Sequence, residues 1–311
     1  MSTNPVKFTF PKIFRRLPNQ KHPSASRLIK LRESKHERLQ NGTCIVQGLH
    51  ALRFLRDEGF SIRSLIVTAE SEPHDESAIK FPANQVIKNP DAFPAERYYL
   101  MDVDLTRRTL GTGARPGRHE IFGEVVTKSL PIPEDTDRMM IFNHVNDPAQ
   151  LGILVRTGYG LGWNASISTT PISDMYNDTT IRASRQLSLL MPHKIMPVKD
   201  LTEFLKERQI TPIIAKPLLH KKPHDLWSPL GAQEPTLGSG LWFWNFGDKK
   251  QELPKRVALV MNADNNGEKS VRLDDALHVS VPTRPGAPHL NVTSIGSMIM
   301  FELNRLMVTK K

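Results

Sequence analysis

Residues 147–164 read DPAQLGILVRTGYGLGWN, and this stretch decides the fold. It has few acids, several glycines and one arginine, Arg156, inside an apolar run. Burying an unpaired charge is expensive, so an arginine placed there calls for a reason. The stretch reads as a helix. The strand RMMIFNHV precedes it and the strand ASISTT follows it.

The alternation continues towards the C-terminus. TTIRASRQLSLLMP reads as a helix ended by Pro192, DLTEFLKERQ as a helix and TPIIA as a strand. RVALVMN and LHVSVP are further strands, and NVTSIGSMIMFELNRLM is a closing amphipathic helix. Between them, residues 216–254 are dense in Pro, Gly and Trp, lack a clear period and read as an inserted segment. Strands alternating with helices predict a parallel sheet covered on both faces.

Towards the N-terminus, KSLPIPEDTD is turn-rich and aperiodic, which makes residues 129–137 a linker. Before it, SRLIKLRESKHERLQNG reads as one helix from Ser26, stopped by Asn41-Gly42. The strand TCIVQG, the helix LHALRFLRDEG and the strand SIRSLIVTAES follow. Residues 71–100 are ambiguous, and DLTRRTLGTGARPGRHEIFGEVV gives a basic, glycine-rich loop leading into a strand at 121–126. Residues 26–128 are therefore expected to form a small α/β domain and residues 138–311 a larger one.

Composition narrows the function classes. The chain has 311 residues, 39% hydrophobic and 24% charged, as in soluble globular proteins. No apolar run approaches the roughly 18 residues of a membrane span. A single cysteine, Cys44, excludes an internal disulfide and a Cys-rich zinc site. The 42 Lys and Arg against 32 Asp and Glu give +10, which suits a polyanionic partner such as RNA, although charge kept for solubility gives the same count. Residues 1–25 form a basic extension, and the first acid of the chain is Glu33. That composition is that of a mitochondrial transit segment, while Pro5, Pro11 and Pro18 would break its helix. A basic arm touching RNA is the other reading; without targeting, the expected location is cytoplasmic or nucleolar.

Three pieces of the second domain, in order and in register, resemble the SpoU/TrmH family of RNA ribose methyltransferases within the SPOUT superfamily. NDPAQLGILVRTGYGLGW is similar to that family's DP-x-N-x-G-x-x-x-R-T-A motif. VALVMNADNNGEKS is placed like its apolar strand followed by G-x-E-x-x-G, and VSVPTRPGAPHLNVTSIGSMIMFEL resembles I-x-x-P…S-L-N-V-S-x-A. IRASRQLSLLMP is similar to the RAS helix between the first two, and KLRESKHERLQNGTCIVQG resembles the small α/β RNA substrate-binding domain that precedes the core. The likeness covers about residues 27–128 and 138–308.

The resemblance implies a trefoil-knotted parallel-sheet domain, S-adenosylmethionine as cofactor and a dimer, either with itself or with a related chain. Carried over residue by residue, cofactor contacts fall on Asn262, Asp264, Gly267, Val281, Pro282, Leu290 and Asn291. Arg156, with Gln150, falls on the catalytic motif. A guanidinium stays protonated, so its implied work is to grip a substrate phosphate, orient the 2′-hydroxyl and stabilise the developing alkoxide. The dimer is expected through the 147–164 helix and the last helix, whose GYGLG and GSMIM offer small residues. Two basic sets are candidate RNA contacts: Arg27, Lys30, Arg32, Lys35 and Arg38, and Arg107, Arg108, Arg115 and Arg118. Solvated surface is the alternative for both sets.

Gln150 stands where the family has Asn, Asn262 replaces a glycine, Asp264 a glutamate, His289 a serine and Thr293 the serine after it. A Cβ at Asn262 would be strained if φ there were positive. Two readings follow: a ribosomal-RNA 2′-O-methyltransferase, or a weak or inactive relative serving as an RNA-binding assembly factor for a mitochondrial large ribosomal subunit. Trp242, Phe243 and Trp244 could stack bases or fill a core. His220 and His224 have i,i+4 spacing, but Pro223 between them and missing further ligands argue against a metal.

Overall fold

The computed structural model describes residues 8–70, 76–111, 117–170, 174–215, 241–244, 253–263, 271, 273, 275–281 and 290–308. The chain divides into two compact units. One runs to Lys128 and takes in Tyr176–Leu189; the other comprises Ser129–Met175 and Leu190–Lys311. No helix among the described residues is long and apolar enough to cross a membrane.

The first unit is built on β1 (Phe14–Arg16), β2 (Thr43–Gln47), β3 (Ile62–Thr68), β4 (Ala95–Met101) and β5 (Ile121–Val126). Their order is β1-β4-β3-β5-β2, with β1, β4 and β3 parallel and β5 antiparallel to both β3 and β2. The sheet is thus mixed. Its helices are α1 (Pro23–Glu33), α2 (Lys35–Asn41), α3 (Leu49–Asp57), α4 (Ala83–Lys88) and α5 (Val103–Leu110). Leu28 and Leu31 of α1 and Leu105 and Leu110 of α5 pack on Ile45, Ile66, Met101 and Phe122 of the strands.

Three expectations for this unit are corrected. The helix from Ser26 is two helices broken at Ser34, whose backbone is extended and whose hydroxyl accepts the Glu37 N–H at 3.3 Å. Ser34 ends one helix and caps the next, and Gly42, at φ 60°, closes the second. The expected basic loop contains α5, started by Asp102, whose carboxylate accepts the Leu105 N–H at 2.7 Å. The expected extension 1–25 is partly folded: β1 pairs with β4, and Leu17 and Ala25 are buried.

The second unit holds β6 (Arg138–Asn143), α6 (Pro148–Gly160) and β7 (Ala165–Ser168). Asp147 caps α6, accepting from the N–H groups of Ala149 at 2.7 Å and Gln150 at 3.0 Å, with Pro148 in the first turn. The DP pair is a helix start, with proline where its missing N–H costs nothing. After β7 comes α7 (Asp178–Ala183), which belongs to the first unit and lies against β2. It is shorter than expected. Arg185 and Gln186 take left-handed backbone at φ 54° and 68°, and the Gln186 N–H turns back to the Ile181 carbonyl at 2.8 Å.

The chain re-enters the second unit with β8 (His193–Ile195), α8 (Val198–Glu207), β9 (Thr211–Ala215), β10 (Trp242–Trp244), β11 (Val257–Asn262), β12 (Leu277–Ser280) and α9 (Val292–Val308). The sheet order is β10-β12-β9-β11-β6-β7-β8. All neighbours are parallel except β10, which runs antiparallel to β12. Strand residues alternate between two cores: Met140, Phe142, Leu259 and Met261 face α6 and α9, while Met139, Ile141, Ala258 and Val260 face α8. Both faces are apolar, as a covered parallel sheet requires.

Candidate functional site

The chain goes from β6 to β7 on one side and from β11 to β12 on the other, so its connections diverge between β6 and β11. Open α/β sheets bind ligands in the crevice beyond the carboxyl ends of strands at such a point. Asn143 and Asn262 are the last residues of these two strands and are register partners. Asn143 donates from Nδ2 to Asn262 Oδ1 at 2.8 Å, and the Thr169 hydroxyl, just past β7, donates to Asn143 Oδ1 at 2.6 Å. The Ala263 N–H donates to the Asn143 carbonyl at 3.1 Å. Directly after Asn143, His144 takes φ 54°, a left-handed conformation that costs a non-glycine residue about 1–3 kcal/mol.

Asn262 lies in β11 with extended backbone, so its Cβ brings no positive-φ strain. Its side chain leans across the strand ends onto Asn143. Because β12, β9, β11 and β6 are parallel, Val281 emerges at the same edge of the sheet. Ala263, Val281, Val292 and Ile295 are partly buried against one core cluster, which gathers the ends of β11 and β12 and the start of α9. Asn291 spends its carboxamide oxygen locally, accepting the Ser294 N–H at 2.8 Å and the Thr293 hydroxyl at 2.5 Å. Leu290 is half-buried beside it. Asp264, Gly267, Pro282 and His289 lie outside the described residues, as do Arg115, His220 and His224.

Gln150 sits in the first turn of α6, near the end of β6. Arg156 lies eight residues beyond Pro148, about 12 Å along the axis, and is exposed. No charge is buried in the apolar run. Exposed with it are Ile153 and Tyr159 of α6 and Met298 and Phe301 of α9, the helix packed beside α6. Of the glycines expected to face a partner, Gly158 and Gly296 face inward, whereas Gly160 opens onto free space. A Cβ on Gly158 would collide with Met140 Sδ, and one on Gly296 would meet Met261 Sδ at 2.5 Å.

The basic sets of the first unit separate in the same way. Arg27 holds the buried Glu124 in a two-point ion pair, one leg of which spans 2.6 Å. Thr43 and Ser64 hydroxyls donate to the same carboxylate at 3.0 and 2.9 Å, and Arg63 stands 3.6 Å away. Burial alone would push Glu124 up, but the hydrogen bonds and charge of Arg27, with the two hydroxyls, hold it below the usual carboxylate range. Arg38 is buried and donates to the carbonyls of Leu31 at 2.6 Å and Arg32 at 2.7 Å, closing the end of α1. Arg27 and Arg38 therefore leave the expected RNA-contact set. Arg32 packs its guanidinium against Gly111, and Arg108 pairs with Glu33 at 2.7 Å. Lys30, Arg107 and Arg118 are exposed, whereas Lys35 is half-buried.

Asn143, His144 and Thr169 were not legible as site residues. The sequence signal available for the first two was their place between a strand and the DP pair. Trp242–Trp244 forms β10, at the edge of the sheet outside β12.

No family model matches the chain, and no curated protein compared with it matches. Solved structures do match over almost their whole length. The SpoU methyltransferase AviRb from Streptomyces viridochromogenes, in complex with AdoMet, superposes with a TM-score of 0.66 at 16% identity, covering 93% of this chain and 99% of that one. An AdoMet-bound rRNA methyltransferase from Sinorhizobium meliloti gives 0.62 at 16% identity over 94% and 98%. An RNA 2′-O ribose methyltransferase gives 0.63 at 15% identity over 94% and 100%. The chain has the α/β fold of SpoU-type methyltransferase structures.

Proposed function

We propose that this protein is an S-adenosylmethionine-dependent RNA methyltransferase acting on the ribose 2′-oxygen, with ribosomal RNA as substrate. The observation that carries the reading is the divergence point between β6 and β11, within a fold shared along nearly the full length of AdoMet-bound methyltransferases. Residues at that edge fit the cofactor. Asn262 is unstrained and drawn aside by Asn143, Val281 and Leu290 offer half-buried apolar surface, and the Ala263 backbone lies at the strand ends. Bound there, the cofactor supplies an electrophilic methyl group carried on sulfonium.

The chain's own residues supply positioning and charge. Arg156 is permanently cationic, so it holds a phosphate and steadies charge growing on the 2′-oxygen rather than accepting its proton. Its neighbours Ile153, Tyr159, Met298 and Phe301 form an exposed apolar surface for a second copy of this chain, or for a related one. Pairing there brings Arg156 to the interface. The proposal includes a trefoil knot in the second unit, a first unit that receives RNA, and a mitochondrial setting suggested by the basic, acid-free residues 1–32.

Calorimetry with S-adenosylmethionine, followed by methyl transfer to ribosomal RNA with mapping of 2′-O-methyl positions, tests the reading. Micromolar binding and a mapped ribose methyl group are expected. Absence of both overturns the enzyme and leaves a protein that binds RNA without turnover.

A further inference from the structure

The sequence places RNA contacts on α1, α2 and α5 and on Arg115 and Arg118, yet several of the helix cations serve the fold. Another surface of the first unit is better equipped. Phe81 is 59% exposed, the one aromatic ring among the exposed large hydrophobic side chains of the unit's described residues. It precedes α4, whose first N–H, on Ala83, donates to the His119 carbonyl at 3.2 Å. That bond brings 80–83 against 118–119, the segments that carry two exposed cations, Lys80 and Arg118. Neither side chain makes a hydrogen bond or ion pair among the described residues.

His119 reports the same proximity. Burial first, then the charge of Lys80, hold its imidazole below the usual histidine range; Glu70 pulls the other way, and Arg118 adds a smaller push in the direction of Lys80. It is therefore neutral at pH 7, and its Nδ1 is buried without a partner among the described residues. The surface thus combines an exposed ring, two cations and a neutral imidazole. Among the described residues, Glu70 is the acid whose charge reaches His119.

We propose that Phe81, with Lys80 and Arg118 beside it, is a stacking site for an unpaired ribonucleotide. This rests on the RNA reading above and adds the part of the RNA that is gripped. An exposed ring offers a flat face that any base can cover, and a base can do so only when it is out of a duplex. Lys80 and Arg118 take the phosphates on either side. An apolar partner would gain little from a ring on a surface that carries two solvated cations, so RNA is the occupant that the charge favours.

Fluorescence anisotropy with a labelled single-stranded RNA 12-mer and its duplex tests this without cofactor or turnover. Phe81→Ala is expected to weaken single-strand binding about tenfold or more and leave duplex binding nearly unchanged. Phe81→Trp should retain the affinity. The Lys80→Ala, Arg118→Ala double variant should flatten the salt dependence of single-strand binding by about 1.4 in log–log slope. Thermal melting checks that each variant folds. Wild-type binding that Phe81→Ala leaves intact, or weakens equally for duplex, overturns the stacking site and spares the RNA reading. A wild-type protein that binds neither RNA overturns both.

Discussion

Asn143 and Asn262 join the ends of β6 and β11 by one hydrogen bond, Nδ2 to Oδ1 at 2.8 Å, at the point where the chain's connections part. The bond makes the Asn262 side chain part of the sheet's edge. Asn143→Ala leaves the Thr169 hydroxyl and the Asn262 carboxamide short of a partner and is expected to cost about 1–3 kcal/mol. Urea denaturation should show this as a lower midpoint at constant slope.

Asn262→Gly follows from the same contact. The backbone there is already extended and the side chain already drawn aside, so removing the Cβ should not increase affinity for S-adenosylmethionine. Calorimetry on the variant decides. A gain of tenfold would mean that the asparagine obstructs the site.

The glycines of α6 and α9 give a prediction with a sign. Alanine in a helix interior ordinarily gains about 0.5–1 kcal/mol over glycine. At Gly158 and Gly296 the new Cβ would press into Met140 and into Met261 and Leu154, so each variant should instead lose about 1–3 kcal/mol. Gly160, with open space around its Cβ position, should tolerate alanine.

Glu124 sets an acid limit on the first unit. Its folded-state pKa lies below the ordinary value of 4.5, so its contribution is complete above that pH and is lost as pH falls towards the folded value. Arg27→Ala strands a buried carboxylate and should cost about 3–5 kcal/mol at pH 7. Chemical denaturation between pH 3 and 7 should show a loss below about pH 4.5 in the wild type and a smaller pH dependence in Glu124→Gln.

Under the proposed role of its guanidinium at the reacting ribose, Arg156→Ala should lower methyl transfer about a hundredfold or more while leaving cofactor affinity near wild type. Phe301→Asp, on the exposed face of α9, should convert a dimer to monomers in sedimentation without loss of helix signal. Unchanged sedimentation would remove the two-helix surface as the dimer contact.

What the sequence disclosed followed from periodicity. The strand at 121–126 matches β5 residue for residue, and the apolar runs of β6 and β11 announced a doubly covered sheet. Breaks within helical patterns were harder, because leucine spacing carried across Ser34 even though Ser34 and Glu37 formed a readable cap. Roles of individual arginines were the least legible. Arg27 and Arg38 look alike as surface cations until tertiary contacts deliver Glu124 and the carbonyls of α1 to them. The Asn143–Asn262 bond joins residues 119 apart in sequence, beyond the reach of any local pattern.

The excursion of residues 176–189 into the first unit has a consequence for how the protein is made. β2 lies at the edge of its sheet, and the helix against it, α7, is encoded after β6, α6 and β7 of the other unit. A ribosome that has released residues 1–128 has therefore delivered five strands but not the helix that lies against the last of them in the sheet. Until translation passes Leu189, that edge waits, and unpaired strand edges are where nascent chains join one another. A fragment cut at the apparent boundary after Lys128 would be a domain missing one of its own walls.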